Sequence, residues 1–571
     1  MADPSHAKPN AHRRVFWLLL ILLLAVLAWT GRYWMSSEFG LYEDDLTFIP
    51  GAIEASFDEV LRIISGYFST LAEQGRPFMW SFVILFAHLG WRLGGLQAMY
   101  LLAFSIWFVN ILLFVFLLKR LRVPFFFAAV AGLSYVLFSA DTNQAFLFNA
   151  YGLQPAISFL LIALHLYLVQ NRWRWLAYLF LALVMFTYET PFWLFLAAPL
   201  LTQDTGKTLW RKVWVNTALT TVIFLVIYVL RVAVGESRVA SLGFPEILIT
   251  PIKHMLVGPL VSIGTFALRI IQVLRQVSVQ ALLAAGLSGG LIFALLFWLG
   301  RSVERAPISL LPFKRGWWER QDALTQQMLR LLGAGIMMLV FAYPLTFILR
   351  PYAVSGRETR VHMAAVLGSA FLIASILTLL YGAIRQKGLS TGLLIIVSLV
   401  LGFNLAYGIY IQEGYQRAWD LQQRFWTQLI PLIGDVKEGT AILVQPEGLE
   451  DVHYIDANTW NLPKLLPQMY IFPEKWAAEP QVFRLIDGWQ DNIIRVPGYF
   501  TLDGSNTYAN MVVFGDFLQK NTILVSAASG TLERQFETQI LDETILLKPS
   551  GKDVLSTLET RPLYHLLVDG E

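Results

Sequence analysis

Long apolar runs separated by short polar turns set the architecture of this chain. They lie near 15–34, 77–91, 97–118, 124–140, 153–170, 174–188, 191–203, 213–234, 255–274, 279–300, 328–349, 361–383 and 389–410. Many reach the ~20 residues a helix needs to cross the hydrocarbon core. Within residues 35–96 the pattern differs. Ser56 followed by Glu59 is a capping box that opens a helix. Phe57, Val60, Leu61, Ile64, Phe68 and Leu71 then share one stripe at helical spacing. This predicts a helix lying in the membrane surface, the competing reading being a core helix of a loop domain. Beyond residue 410 the pattern changes again. TAILVQ (440–445), NIIRV (492–496), MVVFG (511–515), TILVSA (522–527) and ETILLKP (543–549) read as strands, and 416–433 as a helix. The expected fold class is an α-helical polytopic membrane protein with a C-terminal mixed α/β soluble domain. Its parts are a tail over 1–14, a transmembrane domain over 15–410 and a soluble domain over 411–571.

Composition agrees. The 571 residues are 56% hydrophobic and 15% charged, against about 25% charged in an ordinary soluble domain. The absence of cysteine excludes disulfides, a thiol nucleophile and Cys-ligated metals. The first apolar run is longer than a signal-peptide core and lacks a clear small-residue cleavage site, so it reads as an uncleaved span.

Basic clusters orient the spans. They comprise Arg13 and Arg14; Lys119, Arg120 and Arg122; Arg172 and Arg174; Lys207, Arg211 and Lys212; Arg301, Arg305, Lys314, Arg315 and Arg320; and Arg385 and Lys387. The positive-inside rule wants all of them in the cytoplasm. Demoting runs 77–91 and 255–274 to interfacial or re-entrant helices achieves this. The first is short and starts at Pro77; the second is interrupted by Gly258, Pro259 and Gly264. Eleven spans result, with the N-terminus cytoplasmic and the C-terminal domain outside the cell or inner membrane. Run 255–274 is long enough to span, so twelve or thirteen stays open.

With this topology the unusual polar residues fall on one rim. Glu43, Asp44 and Asp45 sit in LYEDDLTFIP, and Arg76 in a Gly-Arg-Pro turn. Asp141, Asn143, Gln144 and Asn149 share the second outer loop, and Tyr188 and Glu189 lie in TYETP. Arg350, Arg357, Arg360 and His362 belong to LRPYAVSGRETRVHMAA. Ionisable groups at such places are functional candidates. Each has a plainer alternative: a solvated loop for the acids, headgroup snorkelling for the late arginines.

One chemistry suits the set. Arginines hold phosphate bidentately, and a nearby carboxylate can take a proton from an acceptor hydroxyl. Together they suit displacement of a lipid phosphate from a sugar carbon. A carboxylate could instead hold a divalent cation through oxygen ligands, and no metal ligand set is assigned. No GxxxxGK[ST], HExxH or GxSxG motif occurs, which argues against an ATP-driven pump, a zinc peptidase and an α/β-hydrolase. No basic nucleic-acid surface stands apart from the cytoplasmic anchors. A ligase or polymerase using lipid-diphosphate glycans, and a lipid or glycan transporter, are the alternatives. The transporter fits less well, because the span middles are mostly apolar and no internal repeat is present.

Here the chain resembles the GT-C superfamily of integral-membrane glycosyltransferases, which use polyprenyl-phosphate-linked sugars. An acidic pair in the first outer loop (EDD, 43–45) is followed by an Arg-Pro turn (GRPFMWSFVILFAHLGW, 75–91) and a span ending in basic residues (LLFVFLLKRL, 112–121). TYETPFWLFLAAPLL (187–201) is similar to the family's Lys-Glu-Thr segment. SGRETRVHMAAVLGSAFLIA (355–374) is similar to the late arginine segment of protein O-mannosyltransferase-like members. Tyr188 stands where many members carry Lys, and Val361–Met363 replaces an aromatic and proline pattern. The resemblance implies an inverting transferase acting on the periplasmic or extracellular face. Asp44 or Asp45, most naturally Asp44, would deprotonate the acceptor, with Glu43 and the other acid supporting. Arg76, Tyr188, Glu189, Arg357, Arg360 and His362 would shape the donor pocket. The partners implied are a lipid-linked sugar donor and a glycan, lipid or protein acceptor.

Overall fold

The computed structural model describes residues 11–143, 146–169, 172–235, 246–275, 278–301, 321–346, 350–384, 389–449, 462–485, 493–496, 499–502, 522–528, 530–540, 543–546 and 552–570. Gln144, the strand expected over 511–515 and several of the cytoplasmic-anchor basic residues lie outside them. The chain divides into two compact units: Met1–Ser36, Arg62–Val83 and Tyr100–Gln412 form the first, and Ser37–Leu61, Ile84–Met99 and Glu413–Glu571 the second.

Among the described residues nine helices are long and apolar enough to cross a membrane. Their elements are α1 (Ala11–Arg32), α4 (Pro77–Arg120), α6 (Gln154–Tyr167, extended by a π-turn from Asn149), α8 (Gly206–Ala233), α9 (Glu246–Arg275), α10 (Val279–Gly300), α11 (Ala323–Phe341), α12 (Ala365–Ile384) and α13 (Ser390–Leu432). The remaining helices are α2 (Asp45–Glu54), α3 (Phe57–Ser69), α5 (Phe125–Val136), α7 (Leu176–Thr187) and α14 (Leu462–Met469).

The count of eleven spans is corrected in two ways. Runs 124–140, 174–188 and 191–203 do not form long helices: α5 and α7 have 12 residues each, and Phe192–Leu201 is a 3₁₀ helix of 10. Twelve residues rise only about 18 Å, short of the ~30 Å hydrocarbon core. α5 is apolar because protein surrounds it: every residue from Phe126 to Val136 is buried. In the 3₁₀ segment, Pro191 caps the start and Pro199 removes a backbone donor, which disfavours the α ladder.

The demotion of run 255–274 is the second correction. α9 is a continuous helix of 30 residues through Pro251 and Pro259. Its buried stripe is polar: His254, Ser262, Thr265 and Arg269. Its exposed stripe is apolar, with Ile252, Leu256, Leu260, Ile271 and Leu274 all at least half exposed. Polar inside and greasy outside is the pattern of a lipid-facing span. Its length allowed a span; charge placement and the interruptions at Gly258, Pro259 and Gly264 were what argued for demotion. The other demoted run, 77–91, and run 97–118 belong to one helix, α4, broken at Gly94 and Gly95.

Spans pack through small residues. On α11, a Cβ at Gly335 would lie 2.7 Å from the backbone nitrogen of Leu372 on α12, so only glycine permits this approach. The capping box of α3 forms: Ser56 N and Oγ donate to Glu59 Oε2 at 2.7 and 2.8 Å, and Glu59 N donates back to Ser56 Oγ at 3.3 Å. Only Val60 of α3 is buried, and Phe57, Leu61 and Phe68 remain exposed.

In the second unit, β1 (Ala441–Gln445) is the centre of a four-stranded sheet. It pairs in parallel with β3 (Gln481–Arg484) and β6 (Thr522–Ala528), and β6 pairs antiparallel with β7 (Thr531–Gln535). Ile442, Leu443 and Val444 are fully buried, as a central parallel strand requires. Short pairs add β2 (Tyr470–Ile471) to β10 (Glu559–Thr560), β4 (Ile493–Val496) to β5 (Tyr499–Leu502), and β8 (Glu537–Ile540) to β9 (Glu543–Leu546). The helix expected over 416–433 is the continuation of α13. The chain is thus a polytopic α-helical protein with a mixed α/β C-terminal part.

Candidate active site

In the first unit Arg76, Tyr188 and Glu189 come together with a fourth residue, Arg231. Arg76 immediately precedes Pro77, the first residue of α4, a position where proline's missing N–H costs nothing. α7 stops at Thr187; Tyr188 is extended (φ −155°, ψ 123°) and turns Glu189 inward. Arg76 Nε donates to Glu189 Oε2 at 2.9 Å, and its Nη2 donates to Oε1, a bidentate fork. The Arg76 guanidinium lies 4.8 Å from the Tyr188 ring centroid.

Arg231 enters from α8, whose buried residues Asn216, Thr220, Ile227 and Arg231 form one stripe. Its Nη1 donates to Glu189 Oε2 at 3.2 Å, and its Nη2 donates to the Met185 carbonyl. Gly75, at φ +68°, makes room: a Cβ there would lie 2.8 Å from Arg231 Nε. The side chains of Arg76, Glu189 and Arg231 are only 10%, 13% and 9% exposed. Two guanidiniums thus meet one carboxylate in a poorly solvated place. Planar guanidiniums held this way are the groups that recognise carboxylate and phosphate bidentately. Arg231 was hidden in the apolar run 213–234; the signal was a lone arginine near the end of a long apolar helix.

The late arginine segment forms a 3₁₀ turn, Arg357–His362, ahead of α12. The segment between α5 and α6 is pinned to it. Asn143 Nδ2 donates to the Arg357 carbonyl at 2.6 Å, and Thr142 N donates to Thr359 Oγ1 at 3.0 Å. Arg357 and Arg360 are half-buried, while Arg350 is exposed and faces Glu358 at 3.5 Å. Asp141 accepts from Asn143 N at 3.0 Å, and Asn149 Nδ2 donates to the Asn143 carbonyl at 3.0 Å.

His362 is fully buried. Its Nδ1 lies 2.8 Å from Tyr343 Oη and 3.1 Å from Ser262 Oγ, and its Nε2 lies 2.9 Å from the Ala353 carbonyl. Burial, with Arg269 nearby, pushes its pKa down to about 4. The ring therefore organises the turn rather than presenting itself to solvent. Arg269, on α9, donates to the Ser139 carbonyl from Nε (3.2 Å) and Nη2 (2.8 Å), and to the Val354 carbonyl from Nη1 at 2.8 Å. Its guanidinium stacks 4.0 Å from the Tyr407 ring centroid. It ties both loops to one helix. Its burial is not readable from the sequence, where it stands in an otherwise apolar run.

The acid triplet belongs to the second unit, where the structure sorts the three carboxylates. Asp45 and Glu43 are buried at 0% and 2% exposure; Asp44 is half-buried. Asp45 opens α2, and its Oδ2 accepts from Tyr42 N at 3.3 Å. Glu43 holds a left-handed backbone (φ +46°), an uncommon state for a residue with a side chain. Asp44 is the most solvent-accessible acid of the three. Among the described residues no cluster of three or more His, Cys, Asp or Glu is arranged to hold a metal ion.

No family model matches the chain, and no curated protein matches it. Solved structures similar to it include ArnT from Cupriavidus metallidurans bound to undecaprenyl phosphate, at 15% identity, covering 77% of this chain and 83% of that one, with a TM-score of 0.29. The apo state of the same protein matches at 13% identity, covering 78% and 84%, again with a TM-score of 0.29. The similarity is distant, and the functional reading stands on this chain's own residues.

Proposed function

We propose that the chain is a membrane glycosyltransferase of the GT-C type. It moves a sugar from a polyprenyl-phosphate carrier to an acceptor hydroxyl on the extracytoplasmic face of the cell membrane, with its N-terminus in the cytoplasm. The observation that carries this reading is the carboxylate of Glu189 bracketed by the guanidiniums of Arg76 and Arg231 in a poorly solvated place. In this reading the donor phosphate displaces part of Glu189's hold and is met by the two guanidiniums, with Arg357 and Arg360 adding charge at the donor pocket. His362 shapes the turn that carries those two arginines. Asp44 takes the proton of the acceptor hydroxyl. The acceptor oxygen forms the new bond to the anomeric carbon from the face opposite the phosphate. The carbon–phosphate-oxygen bond breaks, its electron pair stays with the phosphate, and configuration inverts.

The proposal stays at superfamily level. Val361–Met363 lacks the aromatic and proline pattern of protein O-mannosyltransferase-like members. The test is transfer by purified full-length protein from a panel of polyprenyl-phosphate sugars, comparing wild type with Asp44→Asn and Asp45→Asn. Release of free polyprenyl phosphate that depends on acceptor, and its loss in Asp44→Asn, is the expected outcome. Normal turnover in both variants removes the proposed base and favours a ligase that relies on arginines alone.

A further inference from the structure

The acid turn and the C-terminal residues are far apart in sequence yet share the second unit. Gly40 lies flat on the Trp419 indole: a Cβ there would overlap the ring. Tyr42 is fully buried next to it, and its hydroxyl donates to the Tyr415 carbonyl at 2.9 Å while accepting from Gly40 N at 3.1 Å. Gln422 Nε2 donates to the Leu41 carbonyl at 3.2 Å. Both backbone neighbours of Glu43 are therefore fixed. On one side Tyr42 is anchored to the C-terminal half of α13; on the other Asp44 runs into α2.

The far end of α2 is held as well. Arg561 Nη1 donates to Glu54 Oε2 at 2.5 Å. Arg561 is itself seated by its Nε on the Tyr470 carbonyl (3.2 Å) and its N on the Met469 carbonyl (2.9 Å). A polar clamp thus grips the Leu41–Glu54 segment at both ends. It uses residues from 415 to 561 to fix a turn in which Glu43 carries a left-handed backbone.

We propose that Tyr42 and Arg561 are positioning residues, and that the C-terminal unit serves to set the geometry of the Glu43–Asp45 turn. This rests on the reading of Asp44 as proton acceptor. It gives the soluble part of the chain a task in the reaction: without the clamp, α2 shifts along its axis and Asp44 leaves the acceptor oxygen. Neither residue touches substrate in this account. Each acts through the backbone that carries Asp44.

The test uses the full chain in nanodiscs, with Tyr42→Phe, Arg561→Ala, Arg561→Lys and the charge exchange Arg561→Glu with Glu54→Arg. Hydrogen exchange is followed on peptides covering 41–54, with peptides from 100–120 and 365–384 as controls for general unfolding. Tyr42→Phe and Arg561→Ala are expected to raise exchange about tenfold or more in 41–54 alone. Arg561→Lys and the charge exchange are expected to restore most of the protection. With a panel sugar that wild type turns over, kcat should fall about tenfold or more in Arg561→Ala while KM for that lipid is unchanged. Unchanged exchange in 41–54, or an increase shared by the controls, overturns the proposal. So does a local increase with unchanged kcat. If no panel sugar is turned over, or Asp44→Asn is fully active, the reading of Asp44 fails and with it the catalytic purpose of the clamp. The exchange data then still decide whether the clamp holds the turn, so the two failures are told apart.

Discussion

Arg231 donates to the same carboxylate oxygen of Glu189 that Arg76 Nε holds, at 3.2 and 2.9 Å. The two arginines reach it from the turn before α4 and from the last turns of α8. A carboxylate shared this way keeps two guanidiniums close despite their repulsion, and it orients donor groups that a phosphate can use.

Besides the donor binding proposed for it, the cluster carries stability. Arg231→Ala removes one guanidinium from Glu189 and opens space beside Gly75. Breaking a buried pair costs about 3–5 kcal/mol. A lowered melting temperature in detergent, partly recovered in Arg231→Lys, is the expected result of a thermal scan. An unchanged melting temperature would show that the ion pair adds nothing to the fold.

Burial separates the acids. Asp44→Asn removes a half-buried carboxylate and should reduce kcat by about 10²–10⁴-fold, the usual worth of a general base, without changing the melting temperature. Asp45→Ala strips the acceptor from Tyr42 N at a fully buried position and should cost about 1–3 kcal/mol of stability. Steady-state kinetics paired with thermal unfolding reads both effects. Equal kinetic defects with equal stability would erase the distinction.

His362 makes stability depend on pH. Its folded pKa, about 4, lies below the ordinary histidine value of 6.5 because burial disfavours the charged ring. Between those values the unfolded chain binds the proton and the folded chain does not. The contribution is complete above about pH 6.5 and is lost as pH falls toward about 4. Melting temperature in detergent should decline across that window in wild type, with a shallower decline in His362→Gln. Parallel profiles for the two proteins would assign the acid sensitivity to other groups.

Span packing is testable at one position. Gly335→Val would press a side chain into the Leu372 backbone, costing about 1–3 kcal/mol by overpacking. Leu372→Ala leaves that backbone in place and should not relieve it. A melting temperature equal to wild type would mean that α11 and α12 separate freely.

Much of the architecture was legible in the sequence. Eight of the expected spans are long helices, because a lipid-facing helix must be apolar along about 20 residues. The capping box at Ser56 and Glu59 was readable because it is a local device. α5 was misread because hydropathy records what a residue is, not what faces it, so a short helix buried in protein looks like a span. α9 was demoted for a different reason: charge placement and the interruptions at Gly258, Pro259 and Gly264 argued against a run whose length allowed a span. Arg76, Tyr188 and Glu189, which the structure brings together, stood out in the sequence because charged or aromatic residues at turns between apolar runs do. Arg231 was not, since its partner lies 42 positions away and its own neighbours are apolar. The different burial of Glu43, Asp44 and Asp45 was also unreadable, because three adjacent acids look alike until a turn is folded around them.

The most direct measurement of the central claim is binding of undecaprenyl phosphate to the purified full-length protein, followed by native mass spectrometry. Wild type would be compared with Arg76→Lys and Arg231→Lys, which keep the charge and lose the planar fork. Saturable binding by wild type, weakened about tenfold or more in both variants with melting temperatures near wild type, is the expected result. Equal binding by all three proteins, or none by wild type, would contradict it.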